Sequence, residues 1–301
     1  MIVLKLEFIP EIFVGSMCNN NCTFCSYGNC DSIKYRKTDE IKKELDSIRS
    51  VNENKIRFTG GETTIRKDIF DLVKYAKELG FEKIEIETNG RMFFYREFTK
   101  KIIEAGANYF SFSIHGHNSE LHDSITRASG SFNQAVQGIK NIKELCEHPV
   151  RINVVIIKAN YKFLPDIVKY FSDLVSEIKL SFVTIVGNVL ENKEIVPKMS
   201  DVVPFVKDAV DMSKNNVKIC TIPFCLINGY EDYNIFFKTY EKNPVKMENG
   251  DFIIKIEPKL FKDFVKNDGC KICKFDQKCF GQSKKYVEMF GFEEINPIRK
   301  N

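Results

Sequence analysis

The sequence predicts an α/β fold, a partial (β/α)6 TIM-like barrel followed by a small C-terminal α+β unit. From residue 12 to residue 215, short runs rich in β-branched residues alternate with amphipathic stretches of helical period. Strands that alternate with helices form a parallel sheet, because each helix carries the chain back to start the next strand. The alternation stops after residue 215. We therefore predict a barrel over residues 1–215 and a second unit over 216–301.

Six strand–helix pairs make up the predicted barrel. Thr38 and Asp39 favour the start of the first helix, and Pro165 and Pro204 each stand in a first turn, where a missing amide costs little. The strands are expected at 12–15, 56–59, 83–88, 109–114, 151–157 and 179–185. The helices are expected at 38–51, 68–79, 95–105, 132–146, 161–175 and 201–213. In the second unit we expect strands near 218–222 and 252–256 and a helix near 283–290.

Composition limits the function classes. The 45 basic and 41 acidic residues give a net charge of +4 and are spread along the chain, so we expect no nucleic-acid partner. Residues 1–14 are apolar but contain Lys5, Glu7 and Glu11 and lack a small-residue cleavage site. We therefore expect no signal peptide, no membrane partner and a cytoplasmic location. In that compartment the ten cysteines are expected to bind metal rather than to form disulfides.

A first group of cysteines follows the first predicted strand. Cys18, Cys22 and Cys25 are separated by three and by two residues. Three thiolates on one tight loop can hold three irons of a four-iron cluster and leave the fourth iron open to a substrate or cofactor. A structural zinc site is the alternative for this segment, since Cys30 could supply the fourth ligand that zinc prefers.

This spacing, with Phe24 before the third cysteine, resembles the defining motif of the radical S-adenosylmethionine (SAM) superfamily. The sequence Gly60-Gly61-Glu62 at the end of the second strand is similar to the Gly-Gly-Glu element of the same family. The resemblance implies a [4Fe-4S] cluster on the three cysteines, with SAM at the open iron. It also implies that the two glycines allow close backbone approach to the ligand. Glu62 or nearby carbonyls would accept hydrogen bonds from the methionine amine.

The resemblance extends to three further SAM contacts. Ser113 would bind the ribose hydroxyls, Arg127 the methionine carboxylate, and Asn153 would face the cofactor. Strand-end capping and surface pairing explain each of these residues equally well when it is taken alone. The sequence does not identify the catalytic residues, and we expect backbone groups rather than a proton-transfer role to account for His115.

In the family that the motifs resemble, the reduced cluster cleaves SAM to methionine and a 5′-deoxyadenosyl radical, which abstracts hydrogen from a substrate. The resemblance therefore also implies an external one-electron donor such as flavodoxin or ferredoxin.

A second group of cysteines lies near the C-terminus. Cys270, Cys273 and Cys279 are separated by two and by five residues, and Cys220 and Cys225 precede them. The spacing resembles the C-terminal auxiliary-cluster modules called SPASM and, in a shorter form with fewer cysteines, twitch. The resemblance implies a second, auxiliary [4Fe-4S] cluster on Cys225, Cys270, Cys273 and Cys279, with Cys220 in place of Cys225 as the other choice. A zinc site is again the alternative.

Three functions fit these motifs. The leading hypothesis is a radical SAM enzyme that matures a peptide or a cofactor precursor. The second is a radical epimerase or dehydrogenase acting on a sugar, a nucleoside or another small molecule. The third, a non-enzymatic zinc or iron–sulfur protein, would leave Gly60–Glu62 and the polar strand ends unexplained.

Overall fold

A seven-stranded parallel sheet, with its strands in chain order, forms the main unit of the protein. A computed structural model describes residues 9–28, 35–213, 216–236 and 263–299. The strands are β1 Glu11–Phe13, β2 Lys55–Thr59, β3 Lys83–Thr88, β4 Tyr109–Ser113, β5 Val150–Ile156, β6 Glu177–Phe182 and β7 Val217–Cys220. The partial barrel is confirmed. The first six strands lie within a few residues of their predicted places, and the seventh adds a strand to the predicted six.

Seven helices follow the strands of this sheet in the described part of the chain. They are α1 Thr38–Ser50, α2 Ile69–Glu78, α3 Arg96–Ala105, α4 Ser119–Thr126, α5 Ser131–Leu145, α6 Leu164–Phe171 and α7 Met199–Asp211. Six were predicted, whereas α4 was not. Its eight residues give too short an apolar pattern, and the structure shows that Asn118 caps it by accepting a hydrogen bond from the Leu121 N–H at 2.9 Å.

The two faces of the sheet differ in chemistry. On the outer face, residues such as Ile56, Phe58 and Ile86 are fully buried in the core that the helices cover. On the inner face, alternate residues are polar or charged. Arg57 of β2 and Arg151 of β5 both donate to the carboxylate of Glu85 on β3, so an ion-paired group spans the inner face. Because one face is buried and the other carries charges, the strand sequences are only partly apolar, and the predicted strands are short.

The first strand predicted for the C-terminal unit belongs to the main sheet. The strand predicted near 218–222 is β7, and it pairs with β6 in the main sheet. The helix predicted near 283–290 is α8 Lys284–Phe290, which follows a two-stranded antiparallel pair, β8 Phe264–Val265 and β9 Gln282–Ser283. The strand predicted near 252–256 lies outside the described residues. The division at 215/216 remains a prediction.

Tyr286 of α8 joins the C-terminal unit to the barrel. Its hydroxyl accepts a hydrogen bond from the Met199 N–H at 2.7 Å, and its ring packs edge-on against Phe182, with 5.7 Å between centroids. Within the described ranges, no helix combines the length and the apolar character needed to cross a membrane.

We predict that Glu85→Gln lowers the free energy of unfolding by about 3 kcal/mol, because it leaves two largely buried arginines without their shared carboxylate. Glu85 itself is fully buried. The control is Glu78→Gln, which breaks an exposed pair with Lys74 at 3.8 Å and should cost less than about 0.5 kcal/mol. Chemical denaturation measures both values, and equal losses in the two variants would contradict the prediction.

Candidate active site

The loop after β1 carries Cys18, Cys22 and Cys25, and its backbone is bound to the end of β2. The Gly61 N–H donates to the Gly15 carbonyl at 2.8 Å, and the Glu62 N–H donates to the Met17 carbonyl at 2.7 Å. On its other side the same loop is bound to the end of α4, where the carbonyls of Ile125 and Thr126 accept the N–H groups of Thr23 and Asn21. We call residues 15–28 the cysteine loop.

Gly60 and Gly61 are needed for the contact between β2 and the cysteine loop. Gly60 has a φ of +146°, and a Cβ atom there would lie 2.4 Å from the Gly15 carbonyl oxygen. A Cβ atom on Gly61 would lie 2.3 Å from the Met17 carbonyl oxygen. The glycines therefore allow close approach of the chain's own backbone, a role that the sequence did not indicate. Their contact with SAM stays a prediction.

Glu62 joins the ends of β2 and β3. Its side chain is almost completely buried, and its Oε1 accepts hydrogen bonds from the Thr64 N–H at 3.0 Å and the Thr88 hydroxyl at 2.7 Å. Its Oε2 accepts from the Asn89 N–H at 2.6 Å. Burial raises the pKa of Glu62, whereas these donors lower it. The carboxylate thus fixes the geometry of two strand ends next to the cysteine loop.

The loop after β6 closes on the cysteine loop across the mouth of the barrel. Asn188 donates from its side chain to the Cys22 carbonyl at 2.9 Å and from its backbone N–H to the Cys25 carbonyl at 3.0 Å. Gly187 has a φ of +54°, and a Cβ atom there would lie 2.2 Å from the Cys25 carbonyl oxygen. Gly-Asn after a strand is a recognisable turn signal, but nothing in the sequence identified its distant partner.

The thiols of the cysteine loop are half-buried and lie close to one another. Burial, together with the neighbouring thiols, raises the pKa of Cys22 to about 12. Burial also raises the pKa of Cys18 to about 11. The Asn20 N–H lies 3.3 Å from the Cys18 sulfur, and the Asn89 amide lies 3.8 Å from it. Hydrogen bonds to sulfur stabilise the thiolates of iron–sulfur clusters, so the loop offers both ligands and their supporting donors.

Among the residues that the structure describes, no three His, Cys, Asp or Glu side chains converge on a point where one metal ion would bind. A four-iron cluster does not require such convergence, because each thiolate binds a different iron. Cys30, the possible fourth ligand of a zinc site, lies outside the described residues.

The other predicted SAM contacts fall into two places. Ser113 and Asn153 are partners in register on β4 and β5, on the inner face of the sheet. Arg127 is exposed and follows Thr126, whose carbonyl accepts the Asn21 N–H of the cysteine loop. The structure therefore brings Ser113 and Asn153 together and places the Arg127 backbone beside the cysteine loop.

His115 packs against the cysteine loop from the end of β4. Its ring meets Phe24 edge-on, with 4.6 Å between centroids, and its Nδ1 accepts the Val155 N–H at 3.2 Å. Burial lowers its pKa well below the ordinary value, so the imidazole is neutral at pH 7. The expected backbone partner of His115 is confirmed.

Four of the five C-terminal cysteines line one cavity. They are Cys225, Cys270, Cys273 and Cys279. Burial raises the pKa of Cys225 to about 12, and the other three thiols of the cavity contribute to the rise. Cys220 stands elsewhere, at the end of β7, where its neighbours are Lys179 and Ser181. The geometry therefore favours Cys225 over Cys220 as a ligand.

Residues 12–171, more than half of the chain, match the family model described as the radical SAM superfamily. The chain is a member of the radical SAM superfamily. Enzymes of this superfamily use SAM and a [4Fe-4S] cluster, so the predicted family, enzyme class and cofactors are confirmed at that level. The auxiliary cluster and the twitch-like module remain predictions.

Two relatives show how far sequence similarity extends. The chain is 31% identical over 156 residues to the AdoMet-dependent heme synthase of Methanosarcina barkeri, covering 51% of this chain and 43% of that protein. It is 29% identical over 195 residues to the GTP 3′,8-cyclase of Limosilactobacillus fermentum, covering 62% of this chain and 57% of that one. The matches thus span about half the length of these relatives.

A solved structure extends the likeness in fold to nearly the whole chain. Streptococcus suis SuiB bound to its precursor peptide SuiA has a TM-score of 0.64 and 16% identity, and the likeness covers 97% of this chain and 75% of SuiB. At this identity the likeness shows the fold alone.

We predict that Gly61→Ala separates the cysteine loop from β2. The added Cβ atom cannot be accommodated by the backbone atoms that it meets, so the loss of unfolding free energy should be about 2 kcal/mol and the iron content should fall by about half. The control is Gly229→Ala, which meets no atom within 4 Å and adds only the strain of a φ of +86°. Wild-type stability and iron content in Gly61→Ala would refute the role of this contact.

Proposed function

We propose that this protein reductively cleaves SAM at a [4Fe-4S] cluster held by Cys18, Cys22 and Cys25 and abstracts hydrogen from a substrate. The observation that carries the proposal is a three-thiol loop clamped at the mouth of the barrel by the ends of β2 and β6, in a chain of the radical SAM superfamily. Three thiolates leave one iron free for the amino and carboxylate groups of SAM. Bound there and reduced, SAM supplies a carbon-centred radical.

The residues around the loop would bind and orient SAM. Because the oxygens of Glu62 already accept hydrogen bonds from three residues of β2 and β3 and their loops, we assign the methionine amine to the neighbouring backbone carbonyls. Ser113 and Asn153 form a polar pair on the inner face that suits the ribose hydroxyls. Arg127, beside the cysteine loop, is the assigned partner of the methionine carboxylate.

We propose a second [4Fe-4S] cluster in the C-terminal cavity, within a twitch-like module over residues 216–301. Four thiols line that cavity together with apolar residues such as Pro223, Phe275 and Ile295. The Gly281 N–H lies 3.4 Å from the Cys279 sulfur, as a donor to a ligating thiolate would. Four protein ligands would leave no open iron on this cluster, which suits electron transfer or structural support.

The substrate that we propose is a cofactor precursor or a peptide. Two relatives by sequence are named a heme synthase and a GTP 3′,8-cyclase, and SuiB, a relative by fold, is bound to a precursor peptide. The sequence relatives weigh more, because the likeness to SuiB concerns the fold alone. An external one-electron donor such as flavodoxin or ferredoxin would reduce the first cluster.

We predict that Cys22→Ala abolishes the formation of 5′-deoxyadenosine from SAM under anaerobic conditions with dithionite, because the cluster loses one of three ligands. Cys273→Ala should retain SAM cleavage, since its thiol lies in the other cavity. Cys146→Ala is the matched control, because this cysteine lies at the end of α5, outside both groups. Chromatography of the nucleoside product measures all three. Undiminished cleavage in Cys22→Ala would remove the cysteine loop from the chemistry.

We also predict that the reconstituted wild type contains about eight irons per chain, from two four-iron clusters. Cys225→Ser should lower that number to about four, whereas Cys220→Ser should leave it unchanged, because only Cys225 lines the cavity with the other three thiols. Iron analysis and the electron paramagnetic resonance spectrum of the reduced protein measure the result. Loss of a cluster in Cys220→Ser alone would reverse this ligand assignment.

A further inference from the structure

One row of side chains crosses the inner face of the sheet from β4 to β7. Ser113, Asn153, Lys179 and Lys218 are successive partners in register on β4, β5, β6 and β7. Their neighbours along each strand, such as Ile178, Leu180 and Ile219, are fully buried on the helix-covered face. Because side chains alternate between the faces of a strand, the four polar residues all point to the inside of the barrel.

On the N-terminal side of this row, the charged residues of the inner face are paired. Glu85 is bound by Arg57 and Arg151, and Arg151 also lies 3.6 Å from Glu177. Lys179 and Lys218 differ from these residues. Both are half-buried, and within the described residues neither forms an ion pair or a hydrogen bond. The row itself contains no carboxylate.

Two lysines opposite each other in register repel, and partial burial adds to the cost. Neighbouring strands are about 4.8 Å apart, so the two ammonium groups can reach a common ligand between them. Each ammonium has three donors and no acceptor. Such a pair is stabilised by an anion that both groups contact.

The nearest polar side chains also leave donors available. The Ser181 hydroxyl donates to the Asn153 Oδ1 at 2.8 Å, an arrangement that turns the Asn153 amide NH2 group toward other acceptors. Ser113 and Asn153 are the residues that we assigned to the SAM ribose. The row thus runs from the assigned cofactor contacts on β4 and β5 to the two lysines on β6 and β7.

We infer that Lys179 and Lys218 form a binding site for an anionic oxygen group of the substrate, a carboxylate or a phosphate. This inference rests on the proposed function, because it places the substrate beside the cofactor inside the barrel. It narrows the substrate to a molecule that carries such a group. The two lysines bind and orient the substrate, and no bond to them is made or broken.

The test measures anion binding to the reconstituted, SAM-saturated protein by calorimetry, with inorganic pyrophosphate and with citrate as probes. We expect Lys179→Gln and Lys218→Gln each to weaken binding at least about tenfold, the loss typical of one charge-assisted hydrogen bond. Lys101→Gln, on the exposed surface of α3, is the control and should bind like the wild type. Preference for pyrophosphate indicates a phosphate-bearing substrate, and preference for citrate a carboxylate. Wild-type protein that binds neither probe overturns the inference.

A second measurement uses thermal unfolding without SAM turnover. We expect Lys218→Gln to unfold at a higher temperature than the wild type when no anion is present, because the repulsion with Lys179 is removed. The stabilisation that either probe gives the wild type should be absent in the variant. An unchanged or lower unfolding temperature, with the anion effect intact, would show that Lys218 only extends to solvent.

Measurements of SAM binding and SAM cleavage distinguish a failure of this inference from a failure of the proposed function. If both lysine variants bind SAM and cleave it like the wild type while losing anion binding, the site belongs to the substrate. If they lose SAM affinity and keep anion binding, the lysines hold the cofactor's carboxylate and the inference is wrong. Wild-type protein without any SAM cleavage would instead refute the proposed function, whatever the lysines bind.

Discussion

The position of the cysteine loop depends on backbone contacts that only glycine permits. Gly60 and Gly61 bring the end of β2 against residues 15–17, and Gly187 brings the loop after β6 against Cys25 from the opposite side. Hydrogen bonds from Gly61 and Asn188 then fix the loop between these two strand ends. Main-chain contacts define position more narrowly than contacts between flexible side chains, and a cluster with three thiolate ligands requires such definition. The site is therefore a property of the barrel mouth as a whole rather than of the loop alone.

The inner face of the barrel carries both paired and unpaired charges. Glu85 of β3 compensates two arginines, Arg57 of β2 and Arg151 of β5, and these ion-paired side chains fill one part of the inner face. In the next row of the inner face, Lys179 of β6 and Lys218 of β7 are opposite each other and lack such partners among the described residues. Loss of one partner of a buried ion pair destabilises the fold, and like charges left together oppose it. Compensation in one row and its absence in the next agree with the anion site that we infer at Lys179 and Lys218.

The sequence predicts features that depend on residues close together in the chain, and it misses contacts between residues that are far apart in the chain. The strands were predicted within a few residues because each carries its own β-branched run. The cluster motif is local too, since its three cysteines lie within eight residues, but their role as ligands stays a prediction. Helix α4 was missed because its eight residues carry little periodic signal. The role of Asn188 was missed because its partner, Cys22, is 166 residues away. For Glu62 the sequence suggested a ligand, and only the fold shows that three neighbouring residues already donate to its carboxylate.

The choice between Cys220 and Cys225 shows how one turn separates two environments. Cys220 ends β7, and strand alternation places its thiol on the inner face, near Lys179 and Ser181. Thr221 follows with a φ of +62°, a conformation that β-branched residues rarely adopt, and its hydroxyl donates to the Phe182 carbonyl at 2.9 Å. This strained residue turns the chain out of the sheet, so that Cys225 reaches the cavity of Cys270, Cys273 and Cys279. The two cysteines are five positions apart in sequence, yet one borders the barrel interior and the other lines the cavity of the C-terminal thiols. The turn at Thr221 therefore decides which of the two cysteines can join the other three thiols.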